Sequence, residues 1–247
     1  MRLWIYGLFM AWGMFLAIPC PFPKWDEAAR GRMLACLPLV GCVVGLLWAL
    51  LSRALGLFDC PPFIRALLLS ALPWAVTGFI HLDGFMDVCD AVLSRRDIET
   101  RRRILKDPHC GAFAVISIIL LMLGTFAVFI SDEGGARLLP LALIPVSTRA
   151  SAGIAVLGMK PMEGSQYSGG QKSNWLFVLP ALALAAACVV PTALYGLAGL
   201  APLAAAAGYW AFALYGAKQL GGISGDISGF ALTLGEFFGA AVLVFVR

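Results

Sequence analysis

The sequence predicts an all-α protein, a polytopic bundle of about seven to eight transmembrane helices in one membrane-embedded domain, residues 1–247. Of its residues, 61% are hydrophobic and 13% are charged, and the mean hydropathy is +0.89. Soluble domains have about 45–50% apolar and about 25% charged residues. A chain of this size cannot hide so much apolar surface in its own core. In addition, eight apolar runs reach or approach the roughly 20 residues that a membrane crossing requires.

Each apolar run is interpreted as a helix, because an α-helix satisfies its own backbone hydrogen bonds in lipid. None of the runs has the alternating pattern of a membrane barrel. The first run resembles a signal peptide but lacks an A-x-A cleavage site, so we expect it to be retained. The runs fall at about 3–19, 33–58, 63–80, 111–130, 137–157, 175–196, 200–218 and 229–246.

The distribution of Lys and Arg predicts which loops face the cytoplasm. The loop 94–107 contains six basic residues, and cytoplasmic loops are enriched in them. Alternation of the runs then orders the other loops, with 20–32, 159–175 and 218–229 inside and 59–62, 131–135 and 197–201 outside. The polar, glycine-rich segments are therefore predicted to share the cytoplasmic face of the membrane, where one site can draw on all of them.

The strongest local signal is HLDGFMDVCD, residues 81–90, which we name the acidic segment. Its Asp83, Asp87 and Asp90 have the spacing i, i+4, i+7, which places three carboxylates along one face of a helix. Like charges this close repel one another unless a cation lies among them. Carboxylate oxygens suit a hard divalent cation, and Mg²⁺ is usual where phosphates are handled. The alternative is a solvated acidic helix end paired with the arginines that follow.

A second signal is GGISGDISG, residues 221–229, which we name the glycine loop. Its glycines, with Gly222 and Gly225 on either side of Ser224, allow tight turns and a close approach of the backbone to a ligand. Asp226 lies in its middle and is predicted to complete the site of the acidic segment. An ordinary turn between helices is the alternative interpretation.

Basic residues form the third signal. Arg95, Arg96 and Lys106 follow the acidic segment, and arginine binds phosphate through a planar fork. The alternative is that this basic loop only sets the membrane topology and contacts lipid head groups. Arg149 differs because it lies inside the apolar run 137–157, where a charge requires a carboxylate or a phosphate partner.

His81 and His109 flank the acidic segment, and either is a candidate general base. The seven cysteines are scattered without a CxxC pair, which favours small apolar fillers over a zinc site. The net charge of +4 is too small and dispersed to indicate nucleic-acid binding. The residues together predict phosphoryl or nucleotidyl chemistry on a substrate that arrives at the cytoplasmic face.

Three blocks of the sequence resemble the cobalamin synthase family, the adenosylcobinamide-GDP ribazoletransferases. The blocks are GFIHLDGFMDVCDA (78–91), KDPHCGAFAV (106–115) and GGISGDISGFALTLGEFF (221–238). FLAIPCPFP (15–23) and LPLVGCVVGLL (37–47) are also similar, so the resemblance covers essentially the whole chain. It implies a multi-pass enzyme of the cell inner membrane that joins α-ribazole, or its 5′-phosphate, to adenosylcobinamide-GDP and releases GMP.

The resemblance also implies roles for the residues above. Asp83, Asp87, Asp90 and Asp226 would bind Mg²⁺, and His81 or Asp90 would accept the proton of the attacking hydroxyl. Phosphate contacts are expected from Arg95, Arg96, Lys106 and Arg149, and loop contacts from Gly222, Ser224 and Gly225. The expected partners are the two substrates and the lipid bilayer. A homo-oligomer, or an association with other corrinoid-pathway enzymes, stays open.

Two other classes of protein remain as alternatives. A CDP-alcohol phosphotransferase uses similar chemistry with clustered aspartates, but its usual D..DG..AR…G…D…D spacing is absent from this sequence. A cation transporter could use the three aspartates as ion ligands. Its carboxylates would be expected near the midplane of the membrane, whereas these are predicted at a helix end.

Overall fold

The computed structural model describes residues 2–132, 137–165 and 174–246. Those residues contain α-helices and short 3₁₀ turns but no strand beyond an isolated bridge between Pro161 and Ile223. The predicted all-α class is therefore confirmed. The helices are α1 (Arg2–Phe15), α2 (Arg30–Ala35), α3 (Leu37–Leu57), α4 (Pro62–Val76), α5 (Ile80–Leu93), α6 (Ile98–Ile104), α7 (Ala112–Ile130), α8 (Leu138–Gly158), α9 (Val178–Tyr195), α10 (Ala201–Leu220) and α11 (Gly225–Phe245).

Five helical segments of the described chain are long and apolar enough to cross a membrane, or six if α4 and α5 form one broken span. α10, with 20 residues, has the length but is not among them. α1 has 14 residues, so at about 1.5 Å per residue it is shorter than a hydrocarbon core of about 30 Å. These five or six candidate spans are roughly compatible with the predicted seven to eight transmembrane helices.

α8 and α11 form the centre of the bundle. In an apolar stretch of each, 72% of the residues are buried, against 22–33% in α3, α7 and the segment Asn174–Gly199. α11 packs against α5, α8 and α10, and α8 packs against α3 and α9. The central pair therefore positions groups on α5 relative to groups on α8.

The predicted helix over 63–80 ends early. α4 stops at Val76, and α5 begins at Ile80 at an angle of 91° to it. Gly78 and Phe79, with φ values of 61° and 62°, adopt the left-handed conformation that makes this corner. The acidic segment consequently lies on a separate helix that turns into the bundle.

Close contact between α5 and α11 depends on Gly84. A Cβ atom at this position would lie 2.9 Å from Cα of Asp226 and 3.0 Å from its carbonyl oxygen. A larger residue would force the two helices apart, so Gly84 allows the acidic segment and the glycine loop to meet.

The polar loops predicted to share one face do come together. Arg102 donates hydrogen bonds to the carbonyl oxygen of Leu220 (2.8 Å) and to Glu163 (2.9 Å). The backbone of Ile223 pairs with Lys160 and Met162 at 2.9 and 2.8 Å. At the opposite end of the bundle, Arg65 forms an ion pair with Asp132 at 3.0 Å. The predicted loop 159–175 and the turn 131–135 lie partly outside the described residues.

Candidate active site

A cavity of about 110 Å³ opens where α1, α5, α8 and α11 converge, with polar side chains set among apolar ones. Its polar side chains come from three helices that are remote in sequence. Its lining includes Met14 and Phe15 of α1, His81 and Asp83 of α5, Arg149 of α8, and Gly225, Asp226 and Ser228 of α11. A compact space containing carboxylates, a guanidinium and an imidazole is suited to an anion held beside a cation.

Asp83, Asp87 and Asp226 form an acidic cluster across the α5–α11 contact. Asp87 lies close enough to Asp83, Asp226 and Asp90 to interact with each electrostatically. Within the described residues, Asp83, Asp87 and Asp226 form no ion pair. The predicted meeting of the acidic segment and the glycine loop is therefore present in the structure.

The donor atoms of this cluster are of the type that a hard divalent cation prefers. Its carboxylates offer anionic oxygen ligands and form no ion pair with a described Lys or Arg. No three His, Cys, Asp or Glu side chains of the described chain lie close enough together to hold a metal ion. Binding of one ion by all three carboxylates would therefore require their oxygens to lie closer together.

Asp90 has a structural role that the sequence did not indicate. Its carboxylate accepts hydrogen bonds from the backbone N–H groups of Gly111 (2.5 Å) and Ala114 (3.0 Å). These groups lie at the start of α7, where a helix has N–H donors without intrahelical partners. Both oxygens of Asp90 thus bind the first turn of α7, and its predicted roles as metal ligand and base stay predictions.

Arg149 is 2% exposed and pairs with Glu236 of α11. Its Nη1 donates to Oε1 of Glu236 at 2.5 Å and to the carbonyl oxygen of Pro145 at 3.3 Å. Its Nε and Nη2 are buried and have no hydrogen-bond partner in the described chain. The carboxylate partner expected for Arg149 is therefore Glu236, and two donors of Arg149 remain for a ligand.

His81 also presents an unused polar atom. Its Nε2 is buried without a hydrogen-bond partner among the described residues. The imidazole stacks on the ring of Phe15, with centroids 6.0 Å apart, and the carbonyl oxygen of His81 accepts a hydrogen bond from Thr233 (3.3 Å). His81 is thus held between α1 and α11 at the wall of the cavity.

Ser224 caps the first turn of α11. Its Oγ accepts from the N–H of Ile227 at 3.2 Å and lies 3.4 Å from Oδ2 of Asp226, to which it can donate. Gly225 lines the cavity, whereas Gly222, with φ 152°, lies against the backbone of Pro161. The glycine loop therefore both shapes the cavity and joins α11 to the neighbouring loop.

The other predicted basic residues lie away from the cavity. Arg95, Arg96 and Lys106 are exposed and do not line it. Arg95 has a left-handed backbone, with φ 54°. Their predicted contacts with phosphate remain untested.

Outside the spans, two aspartates serve local structure. Thr100 donates backbone and side-chain hydrogen bonds to Asp97, which caps α6, and these lower the pKa of Asp97. Hydrogen bonds from His109 likewise lower the pKa of Asp107. The His109 side chain is 89% exposed, so of the two candidate bases only His81 lines the cavity.

Glu236 is the site residue that sequence reasoning did not assign. The sequence does distinguish Glu236, because it is the single charged residue in the predicted run 229–246. Its partner lies 87 residues away, and nothing local to either residue indicates the pairing.

Comparison with known proteins gives one consistent family. A family model described as cobalamin-5-phosphate synthase matches residues 7–244. A Clostridium botulinum protein (strain Alaska E43) is 37% identical over 239 residues, covering 94% of both chains. Relatives from Clostridium perfringens (strain SM101) and Geobacillus kaustophilus are 36% and 34% identical, covering 98% and 93% of this chain and 99% and 92% of their own. All three are named adenosylcobinamide-GDP ribazoletransferase. No solved structure matches the chain.

Proposed function

The chain belongs to the cobalamin-5-phosphate synthase family, and we propose that it joins adenosylcobinamide-GDP to α-ribazole or α-ribazole 5′-phosphate and releases GMP. The observation that carries the proposal is the convergence of Asp83, Asp226 and Arg149 from three helices on one cavity. A carboxylate cluster beside a buried guanidinium matches the needs of a pyrophosphate substrate. The family match provides no support for a CDP-alcohol phosphotransferase or a cation transporter.

The reaction exchanges one oxygen on phosphorus. An oxygen of a ribose hydroxyl bonds to the phosphorus attached to the cobinamide arm. The bond from that phosphorus to the bridging oxygen breaks, and GMP leaves with that oxygen. The hydroxyl proton passes to a base on the protein. Such transfers depend mainly on positioning and on neutralisation of charge.

Three carboxylates, from Asp83, Asp87 and Asp226, would hold Mg²⁺. When bound, Mg²⁺ supplies neutralisation of the pyrophosphate charge. The free Nε and Nη2 of Arg149 would bind phosphate oxygens. His81 Nε2, or a carboxylate of the cluster, would accept the hydroxyl proton. Asp90 would anchor α7 beside α5 through its two amide contacts.

We further propose that this face of the bundle is cytoplasmic and that the membrane is the cell inner membrane. The basic loop 94–107 supports the orientation. Arg95, Arg96 and Lys106 would then meet the phosphate-bearing substrate at the membrane surface. This arrangement suits a corrinoid, which is large and amphipathic.

The direct test is turnover by the purified full chain in detergent. Adenosylcobinamide-GDP, α-ribazole and Mg²⁺ are supplied together, and release of GMP is followed by chromatography. Formation of GMP in equal amount to the joined corrinoid product is expected. If folded protein forms neither product, with α-ribazole or with its 5′-phosphate, the proposed function is wrong.

A further inference from the structure

The buried pair of Arg149 and Glu236 divides the donors of the guanidinium into two sets. Nη1 is engaged by Glu236 and by the carbonyl oxygen of Pro145, and Nε and Nη2 have no partner in the described chain. Arg149 lines the cavity beside Asp83 and Asp226, whereas Glu236 lines a separate, much smaller space between α4, α7 and α11. Arg149 therefore contacts its carboxylate partner and also lines the cavity.

We propose that Glu236 is a positioning residue, which orients Arg149 so that the Nε and Nη2 edge binds two oxygens of a phosphate or pyrophosphate group in the cavity. The inference rests on the proposed function for the identity of the substrate, which carries a pyrophosphate. It assigns Glu236 no contact with that substrate.

The geometry of arginine supports this division. A guanidinium can bind an oxyanion through two parallel hydrogen bonds from adjacent N–H groups. When Nη1 is held by a carboxylate, Nε and Nη2 form the edge that is still free for such binding. The Arg149 side chain is one of the largest fully buried side chains in the described chain. Guanidinium donors left unpaired at such depth cost free energy. A bound anion would accept hydrogen bonds from both Nε and Nη2.

The position of Glu236 on α11 links this edge to the acidic cluster. Asp226 begins the same helix, and Thr233, one turn before Glu236, donates to the carbonyl oxygen of His81 at 3.3 Å. One helix thus holds a carboxylate of the cluster, the backbone of His81 and the partner of Arg149. Displacement of Arg149 relative to α11 would misalign the bound phosphate with the carboxylates.

Two conservative variants separate positioning from simple charge compensation. Glu236→Gln keeps the length of the side chain and an oxygen that accepts from Nη1, but it removes the charge. Glu236→Asp keeps the charge and shortens the reach by one methylene. If Glu236 only neutralises Arg149, Glu236→Asp should be the milder change. If it positions Arg149, Glu236→Gln should be the milder one.

The measurement is binding of inorganic pyrophosphate to the full chain in detergent, by calorimetry with Mg²⁺ at one concentration throughout. We expect Glu236→Asp to weaken binding about tenfold and Glu236→Gln less than about threefold. In turnover, Glu236→Asp should raise KM for adenosylcobinamide-GDP and leave KM for α-ribazole unchanged. Binding by Glu236→Asp as tight as that by Glu236→Gln overturns the inference, as does an absence of pyrophosphate binding by the unaltered protein.

Further variants cover the case in which a Glu236 variant does not fold. Arg149→Lys keeps a buried cation but has no Nε–Nη2 edge, so it should bind pyrophosphate about tenfold more weakly. Tight binding by folded Arg149→Lys also overturns the inference. Asp132→Asn weakens the Arg65 ion pair at the opposite end of the bundle and should leave pyrophosphate affinity unchanged. Because pyrophosphate binding needs neither substrate, failure of the GMP assay alone counts against the proposed function and leaves this test intact.

Discussion

Gly84 of α5 lies directly against the backbone of Asp226 at the start of α11, with no room for a side chain between them. This contact brings the acidic segment to the glycine loop. A change at this uncharged residue should therefore alter the site.

Gly84→Ala should separate α5 from α11. Overpacking of a tight contact typically costs about 1–3 kcal/mol, and a shift of about 1 Å in a site can reduce activity on the order of a hundredfold. GMP release and the thermal unfolding midpoint in detergent would be measured together. Gly56→Ala is the matched control, since a Cβ there meets nothing within 4 Å. Equal activity of the two variants would show that the close contact is unimportant.

The acidic cluster should respond to loss of single charges. Asp83→Asn, Asp87→Asn and Asp226→Asn keep the shape of the side chain but remove an anionic oxygen, which a hard cation requires. We expect each to reduce the rate of GMP release about a hundredfold or more. Asp97→Asn, on the exposed cap of α6, should remain near the unaltered rate. Near-normal rates for folded Asp83→Asn and Asp87→Asn would mean that the cluster binds no catalytic metal.

Removal of metal should abolish turnover. The cluster and a pyrophosphate are both anionic, and their repulsion requires a cation between them. Dialysis against a chelator is expected to stop GMP release, and added Mg²⁺ should restore it. A zinc or calcium titration at the same free concentration would serve as the comparison. Full activity in excess chelator would contradict the proposed metal site.

Asp90 should behave differently from the rest of the acidic segment. Asp90→Ala leaves the N–H groups of Gly111 and Ala114 without their acceptor, and an unsatisfied buried donor costs about 1–3 kcal/mol. We expect a lower unfolding midpoint in detergent, with a smaller decrease for Asp90→Asn, which retains one carbonyl oxygen. If Asp90→Asn unfolds at the original temperature yet loses its Mg²⁺-dependent activity, Asp90 is the ligand or base that the sequence predicted.

Two native cysteines can test the orientation. Cys110 is exposed beside the basic loop, and Cys60 is partly exposed at the opposite end of the bundle. In variants that retain only one of them, a membrane-impermeant maleimide on intact spheroplasts should label Cys60 and should label Cys110 only after permeabilisation. The reverse pattern would place the cavity on the outer face.

The sequence by itself determined the all-α membrane class. Hydropathy and charge are properties of consecutive residues, and lipid permits few spanning structures other than helices. The spacing of Asp83, Asp87 and Asp90 likewise predicted three carboxylates on one helix, and α5 contains all three. The expected meeting of the acidic segment with Asp226 was an inference from the parity of the loops, and the structure contains it.

Only the tertiary structure decided what each charged group contacts. The 91° corner at Gly78 and Phe79 turned α5 into the bundle, and Asp90 then reached the amides of α7. Arg149 pairs with Glu236 because α8 and α11 pack against each other at the centre of the bundle. Such partners depend on how helices distant in sequence pack together, so their identity is not contained in any local pattern of residues.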